Sequence, residues 1–314
     1  MADAAAVTTL STDANQPPGP EQPRSIAERQ NDDDTLELLC AATWHYGVAK
    51  RWHLIRVVGT LGFALAAPVI TFWLPQAAAW VAALAALWVL AGRTFLGRAE
   101  DTEMHAGVTA QEQFDTEVFG LPWHEALAGR PLGHEDIIDA SDHIIGESRA
   151  RKKNWYADTT KAPWPLNVVL CQRASAAWSR RAHQNYARVL TLAAWAWFVA
   201  GIGMGVAAHV SLTGYLIMLF LPSQPAFLDA MELIRSHRAA GEQKARVEAM
   251  ADTLWEKGAA DPTLVTVADC RAVQDHSYRL RRHSPQVAEW YYRLRRDRDE
   301  HAMKRATARK ISQL

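Results

Sequence analysis

VVGTLGFALAAPVITFWLPQAAAWVAALAALWVLAG, residues 57–92, contains no charged side chain. A second run, VLTLAAWAWFVAGIGMGVAAHVSLTGYLIMLFLPSQPAFL at 189–228, is equally free of charge and holds one histidine, His209. A bilayer core about 30 Å thick is crossed by roughly 20 helical residues, so each run is long enough for two passages. Leu74-Pro75-Gln76 interrupts the first run and predicts spans near 55–74 and 77–96. His209-Val210-Ser211 is the expected turn of the second, with spans near 188–208 and 211–228. A soluble core rarely contains charge-free stretches of this length, and the membrane reading is preferred.

Cations set the orientation. Lys50, Arg51 and Arg56 precede the first span, and Arg93 and Arg98 close the second. Arg180, Arg181 and Arg188 precede the third, while Arg235 and Arg238 follow the fourth. Neither hairpin turn carries Lys or Arg, so the positive-inside rule puts both termini and the middle segment in the cytoplasm. Trp73, Trp80, Trp195 and Trp197 suit an interfacial belt. Met1 is followed by Ala2 and Asp3, without the basic start and apolar stretch of a cleavable signal peptide.

The remainder reads as helix. Residues 1–25 are rich in Ala, Thr and Pro and are expected to be disordered. A cytoplasmic lead-in helix is expected over 26–53, with Asp32, Asp33 and Asp34 at a helix start. It precedes transmembrane hairpin 1 at 54–97 and a cytoplasmic helical segment at 98–187. Hairpin 2 at 188–228 and a basic helical tail at 229–314 complete the chain. Phe114, Val118 and Leu121 share a helical face, which Gly120 and Pro122 bring to a stop. Ile137, Ile138, Ser141, Ile144 and Ile145 mark a second amphipathic helix. Val247, Met250, Ala251 and Leu254 mark a third, and Val287, Trp290, Tyr291 and Leu294 a fourth. Sustained alternation with hairpin turns is missing, and the expected fold is an all-α membrane protein with four transmembrane helices in two hairpins.

Several chemistries find no support. The 34 Lys and Arg balance the 34 Asp and Glu, so net charge does not favour a DNA or RNA polymer as partner. Cys40, Cys171 and Cys270 lie far apart, which argues against a disulfide framework or a cysteine zinc site. His134, Glu135, Asp136, Asp139, Asp142 and His143 lack metal-ligand spacing and read as the polar face opposite the isoleucines. Phosphate-loop, dinucleotide, serine-elbow and zincin motifs are missing, so no catalytic residue, metal or cofactor is assigned. A binding or pore protein is the better reading than an enzyme.

Charge is nevertheless uneven. Residues 276–314 carry eleven Lys and Arg against Glu289, Asp297, Asp299 and Glu300. This tail suits a nucleotide phosphate, anionic lipid or an acidic partner surface, or is a solvated helix face laced with ion pairs. Arg281, Arg282, Arg293 and Arg296 are the phosphate candidates because a guanidinium offers a donor fork. Tyr278 and Tyr292 are the candidates for stacking on a base; the alternative is a ligand site in the middle segment around Gln111 to Trp123, with the tail serving only as packing. Gly201 and Gly205, four apart, permit close helix approach, either between copies in a homo-oligomer or against span four of the same chain.

Four groups of motifs are spread along the chain. The first is Ile26-Ala27-Glu28-Arg29-Gln30-Asn31, followed by Leu36-Glu37-Leu38-Leu39-Cys40-Ala41-Ala42 and Tyr46 to Lys50-Arg51. The most recognisable is Gln111-Glu112-Gln113-Phe114-Asp115 to Val118-Phe119-Gly120-Leu121-Pro122-Trp123. Cys171-Gln172-Arg173 with Trp178, Arg181 and Tyr186 follows. Gln274-Asp275, Tyr278, Arg281-Arg282 and Trp290-Tyr291-Tyr292-Arg293 with Arg296 and Glu300 complete the set. In their joint order these motifs resemble the SMODS-associating four-transmembrane effector family, and the likeness covers about residues 26–303. It implies a pore-forming or membrane-disrupting effector in the bacterial inner membrane. It further implies that a cyclic nucleotide or oligonucleotide second messenger switches it on in anti-phage defence, killing the host cell. A small-solute transporter and a membrane scaffold recruiting cytoplasmic partners are the competing functions. The near lack of ionisable groups in the spans weighs against transport, although Pro68 and Gly201, Gly203 and Gly205 could break helices.

Overall fold

The computed structural model describes residues 24–207 and 209–314; the N-terminal tail expected to be disordered lies, up to residue 23, outside the described residues. The described residues form helices and no strand. In order these are α1 (Ile26–Arg29), α2 (Asp33–Trp73), α3 (Ala78–Ala91), α4 (Gly97–Phe119), α5 (Glu125–Ala128) and α6 (His134–Ser141). They continue with α7 (Glu147–Ala150), α8 (Leu166–Ala207), α9 (Leu212–Tyr215), α10 (Leu221–Ala260), α11 (Val267–His283) and α12 (Glu289–Ile311).

The apolar runs do not end where the helices end. A π-helical turn at Gly92–Leu96 joins α3 to α4, and another at Leu216–Phe220 joins α9 to α10. At 42 residues α8 is about 63 Å long at 1.5 Å per residue, twice a hydrocarbon core. Its first half belongs to a polar body and its second half to the apolar region. Two helical stretches, Pro75–Phe119 and Leu166–Ala207, are long and apolar enough to cross a membrane.

The chain turns at Leu74–Ala77 and again near His209–Ser211. Trp73 and Trp80, 75% and 76% exposed, flank the first turn, at the level an aromatic belt would occupy. Leu54, Val58, Leu65, Leu87, Leu192 and Val199 stay exposed along the apolar halves, so these helices do not use their apolar surface to build a core. In water such a patch is untenable, whereas in lipid it is matched. Between the helices packing is close: a Cβ on Gly59 of α2 would lie 1.9 Å from the Trp88 ring of α3.

The polar body carries the core. Leu38 and Leu39 of α2 meet Phe114 and Val118 of α4, with Leu166, Val169 and Leu170 of α8. Val247 and Trp255 of α10 and Val273 of α11 close it. Gly120, at φ +67°, takes the left-handed turn that ends α4, and Leu121 donates back to the Thr116 carbonyl at 2.9 Å. Pro163-Trp164-Pro165 precedes α8, and Asp261-Pro262 parts α10 from the next helices, both as expected.

Two expectations fail locally. The isoleucine helix stops at Ser141, and the Ile144 amide closes a turn onto the Ser141 carbonyl at 2.8 Å before Gly146, at φ +58°, redirects the chain; Ile144 and Ile145 fall outside the helix, and Ile145 is 75% exposed. Val287 precedes α12, and Trp290 and Leu294 face outward while Tyr291 is buried. The helical period there marked a helix but not its buried face.

Candidate functional site

Residues Glu112 and Asp115, one turn apart on α4, project into the body core, where they are 1% and 0% exposed. Across from them, α11 presents Arg271, Gln274, Tyr278 and Arg281 at spacings of three and four, hence on one face. A capping box fixes the start of α11, with Thr266 accepting from the Asp269 amide and Asp269 accepting from the Thr266 amide. Arg281 Nη1 donates to Asp115 Oδ2 at 2.5 Å, and Arg271 Nη2 donates to Glu112 Oε1. The Gln274 amide donates to Glu112 at 2.8 Å and to Asp115 at 3.0 Å. The Tyr156 hydroxyl donates to the other Asp115 oxygen, and the Gln172 amide of α8 donates to Gln274 at 3.2 Å.

Buried charges persist only when paired, and here each carboxylate has a cation and an amide. Burial pushes the Glu112 carboxyl above its usual range, against the pull of Arg281. Burial alone would weaken the Arg281 cation, but Asp115, Tyr156, Tyr46 and Glu112 together outweigh it and raise its pKa.

A second buried set lies where α8 meets α10. His183 and His237 share a hydrogen bond between their Nδ1 atoms at 2.9 Å. Lys244, 5% exposed, is a near neighbour of His183. Burial lowers His183 to about 2, His237 to about 4 and Lys244 to about 7.

The residues singled out from sequence are distributed over several places. Arg281 belongs to the buried network, and Tyr278, 3% exposed, packs with Val108 and Ala128. Arg282 points elsewhere and forms a two-pronged pair with Asp101 at 2.6 and 3.0 Å. Arg293 is exposed and bonded to Glu289 at 2.9 Å. Arg296 Nη2 donates to the Arg151 carbonyl at 3.2 Å. Tyr292 lies beneath Lys50, 5.3 Å from Nζ to the ring centre, and beside Trp178. Arg296 and Tyr292 therefore come together, apart from Arg281 and Tyr278. Gly205 is buried against the Tyr215 ring, where a Cβ would approach to 2.9 Å, and Gly201 is 3.5 Å from the Tyr215 hydroxyl on the same measure. Their partner in the structure is the next helix of the same chain.

Sequence reasoning missed the basic turn Arg149-Ala150-Arg151-Lys152-Lys153, whose signal was a short cationic run. Lys152 is 7% exposed and makes no direct ion pair among the described residues. Burial, reinforced by Arg296, lowers it to about 8. Lys152, Arg151 and Arg296 thus form a cationic cluster beside the Tyr292 ring. Such a cluster suits an anion. Among the described residues no group of three or more His, Cys, Asp and Glu could hold a metal ion.

A helical body continuous with apolar, membrane-length helices defines a membrane-associated helical protein with a polar body. The chain belongs to the SMODS-associating 4TM effector domain family, whose pattern matches residues 24–310. It is similar to a probable CBASS effector molecule of Bacillus cereus (strain VD146), at 23% identity over 290 residues, covering 88% of this chain and 95% of that one. No solved structure matches. The motif residues Glu112, Asp115, Gln172, Gln274 and Arg281, far apart in sequence, all meet in the buried network.

Proposed function

We propose that this chain is an anti-phage effector of the bacterial inner membrane, crossing it four times as two hairpins with both termini in the cytoplasm. A nucleotide second messenger bound by the cytoplasmic body triggers membrane disruption. The similarity to a probable CBASS effector supports the defence role. The observation that carries the trigger is continuity: α2 and α8 pass from the body core to the apolar surface as single unbroken helices, and α3 joins α4 through a π-helical turn. A rearrangement of packed helices in the body is therefore transmitted to the membrane end as a rigid-body shift.

Phosphate binding is assigned first to Arg296 with Arg151 and Lys152, and base stacking to Tyr292. An ammonium without a bound carboxylate, and a guanidinium whose carboxylate partner Glu300 lies 3.9 Å away and is exposed, are available there at no cost of breaking a buried pair. Arg293 stands at the rim. For Arg281 to serve, a phosphate would have to replace Asp115 in the core, and Tyr278 would have to leave its packing. Assembly as a homo-oligomer would concentrate the spans for disruption.

The test is dye uptake by cells expressing the full chain together with its nucleotide-producing partner. Lys152→Ala with Arg296→Ala is expected to abolish uptake while leaving the protein folded and membrane-bound. Undiminished uptake would refute the assignment of the site, and no uptake by the wild type would refute the effector reading.

A further inference from the structure

A cavity of about 330 Å³ opens where the apolar helices meet the body, at the lower end of the range for small-ligand pockets, about 300 to 1,000 Å³. Arg56 of α2, Gly97, Glu100 and Asp101 of α4 and Ser236 of α10 line it, together with Arg282 and the connector after α11. Its level follows from the chain. Arg56 immediately precedes the charge-free run, and Gly97 follows Arg93 at its other end. The cavity therefore sits at the depth of lipid head groups once the apolar halves are in a bilayer.

Its chemistry is divided. Two guanidiniums face two carboxylates: Arg56 lies 3.1 Å from Glu100, and Arg282 holds Asp101 through two bonds. Each guanidinium has five N–H donors, and the Asp101 pair uses only two of them. On the acceptor side the carboxylates of Glu100 and Asp101 line the wall, and Asp101 is 64% exposed. A ligand that fits both halves presents phosphate oxygens to the arginines and N–H donors to the acceptors a few ångströms away. No Trp, Tyr or Phe lines the cavity among the described residues, so a base would lack a stacking platform.

We infer that this cavity binds the zwitterionic head group of an ethanolamine phospholipid. Its phosphate contacts Arg56 and Arg282, and its ammonium contacts Asp101 and Glu100. The site ties the middle of α2 and the start of α4 to α11 through the lipid leaflet itself. It is separate from the cluster of Lys152, Arg296 and Tyr292. It requires the membrane insertion proposed above, which carbonate extraction of membranes tests independently.

The experiment uses the full chain, reconstituted into vesicles of equal parts phosphatidylethanolamine and phosphatidylglycerol, or of phosphatidylcholine and phosphatidylglycerol. After mild detergent extraction, native mass spectrometry reads the retained lipid. The choline head group has the same phosphate but no N–H, so retention of the ethanolamine lipid is expected to exceed it about tenfold, one charge-assisted hydrogen bond's worth. Arg56→Gln with Arg282→Gln is expected to lose the retained lipid. Ser236→Phe, which fills the cavity and leaves both ion pairs in place, is expected to lose it as well and covers the case in which the arginine variant fails to fold. Equal retention of the two lipids, or retention unchanged in Ser236→Phe, overturns the inference. Retention of added adenosine monophosphate in place of lipid would instead make the cavity a site for soluble phosphate esters and would equally overturn it.

Discussion

Removing Arg281 is expected to destabilise the body far more than removing its neighbour Arg282. In Arg281→Ala, Asp115 loses its cation while remaining fully buried, and Glu112 loses a second cation at 3.8 Å. Breaking a buried pair by deleting one partner costs about 3–5 kcal/mol. Asp115 keeps the Tyr156 hydroxyl and the Gln274 amide, and Glu112 keeps Arg271. The remaining bonds place the cost near the lower end, about 3 kcal/mol. The Arg282–Asp101 pair is another matter, since Asp101 is 64% exposed. Its loss costs about 0.2–1 kcal/mol after solvent screening. For a domain of this size each kcal/mol moves Tm by about 2–4 °C, so Arg281→Ala is expected to unfold roughly 6–12 °C lower and Arg282→Ala within about 4 °C of wild type. Circular dichroism in detergent reads both. Arg281→Met with Asp115→Asn removes the bare charge and is expected to recover part of the loss. Equal melting of the Arg281→Ala and Arg282→Ala proteins would refute the network as a stabilising element and free Arg281 for a ligand.

Gly205→Leu drives side-chain atoms into the Tyr215 ring and is expected to cost about 1–3 kcal/mol by overpacking, with Gly201→Leu milder; thermal unfolding and cross-linking separate a packing defect within the chain from a lost oligomer. Acid should weaken the body before the carboxylates protonate. The folded pKa values of His183 and His237 lie below the 6.5 of the unfolded chain, so the unfolded state takes up protons first as pH falls. The contribution of the imidazoles is then full above about pH 6.5 and declines towards pH 4, by up to about 1.4 kcal/mol per pH unit for each; His183→Phe with His237→Phe should flatten the Tm profile between pH 7 and 5. For topology, cysteines at Gln76 and Ser211 are expected to label from outside intact cells, and cysteines at Ala106 and Ala239 are not; the natural Cys40, Cys171 and Cys270 are buried and keep the background low. Labelling in the reverse pattern would refute the orientation.

Local features were legible where a single segment carries the physics. The turns at Leu74–Ala77 and near His209 follow from Pro75 and Gln76 in one run and from a polar break in the other. The stop at Gly120 follows from a residue that tolerates positive φ. The isoleucine helix was overextended because periodicity does not report a backbone reversal at Gly146. The cationic turn around Lys152 escaped notice since its companion, Arg296, lies more than a hundred residues away. Glu112 and Asp115 were read as parts of a motif and of an alternative ligand site, Gln111 to Trp123. Nothing in their segment says that α11 brings two arginines to meet them.

The sequence by itself determined that the chain is helical and that two charge-free runs form its apolar half, because hydrophobic length and helical period are properties of contiguous residues. Only the tertiary structure decided the roles of Arg281 and Arg282. Successive residues on a helix point about 100° apart, so these neighbours leave α11 in different directions. One meets the buried Asp115 of α4 and the other meets Asp101 at the rim of a cavity. Which carboxylate each finds depends on how α4 packs against α11, and that is set by core contacts between segments about 160 residues apart.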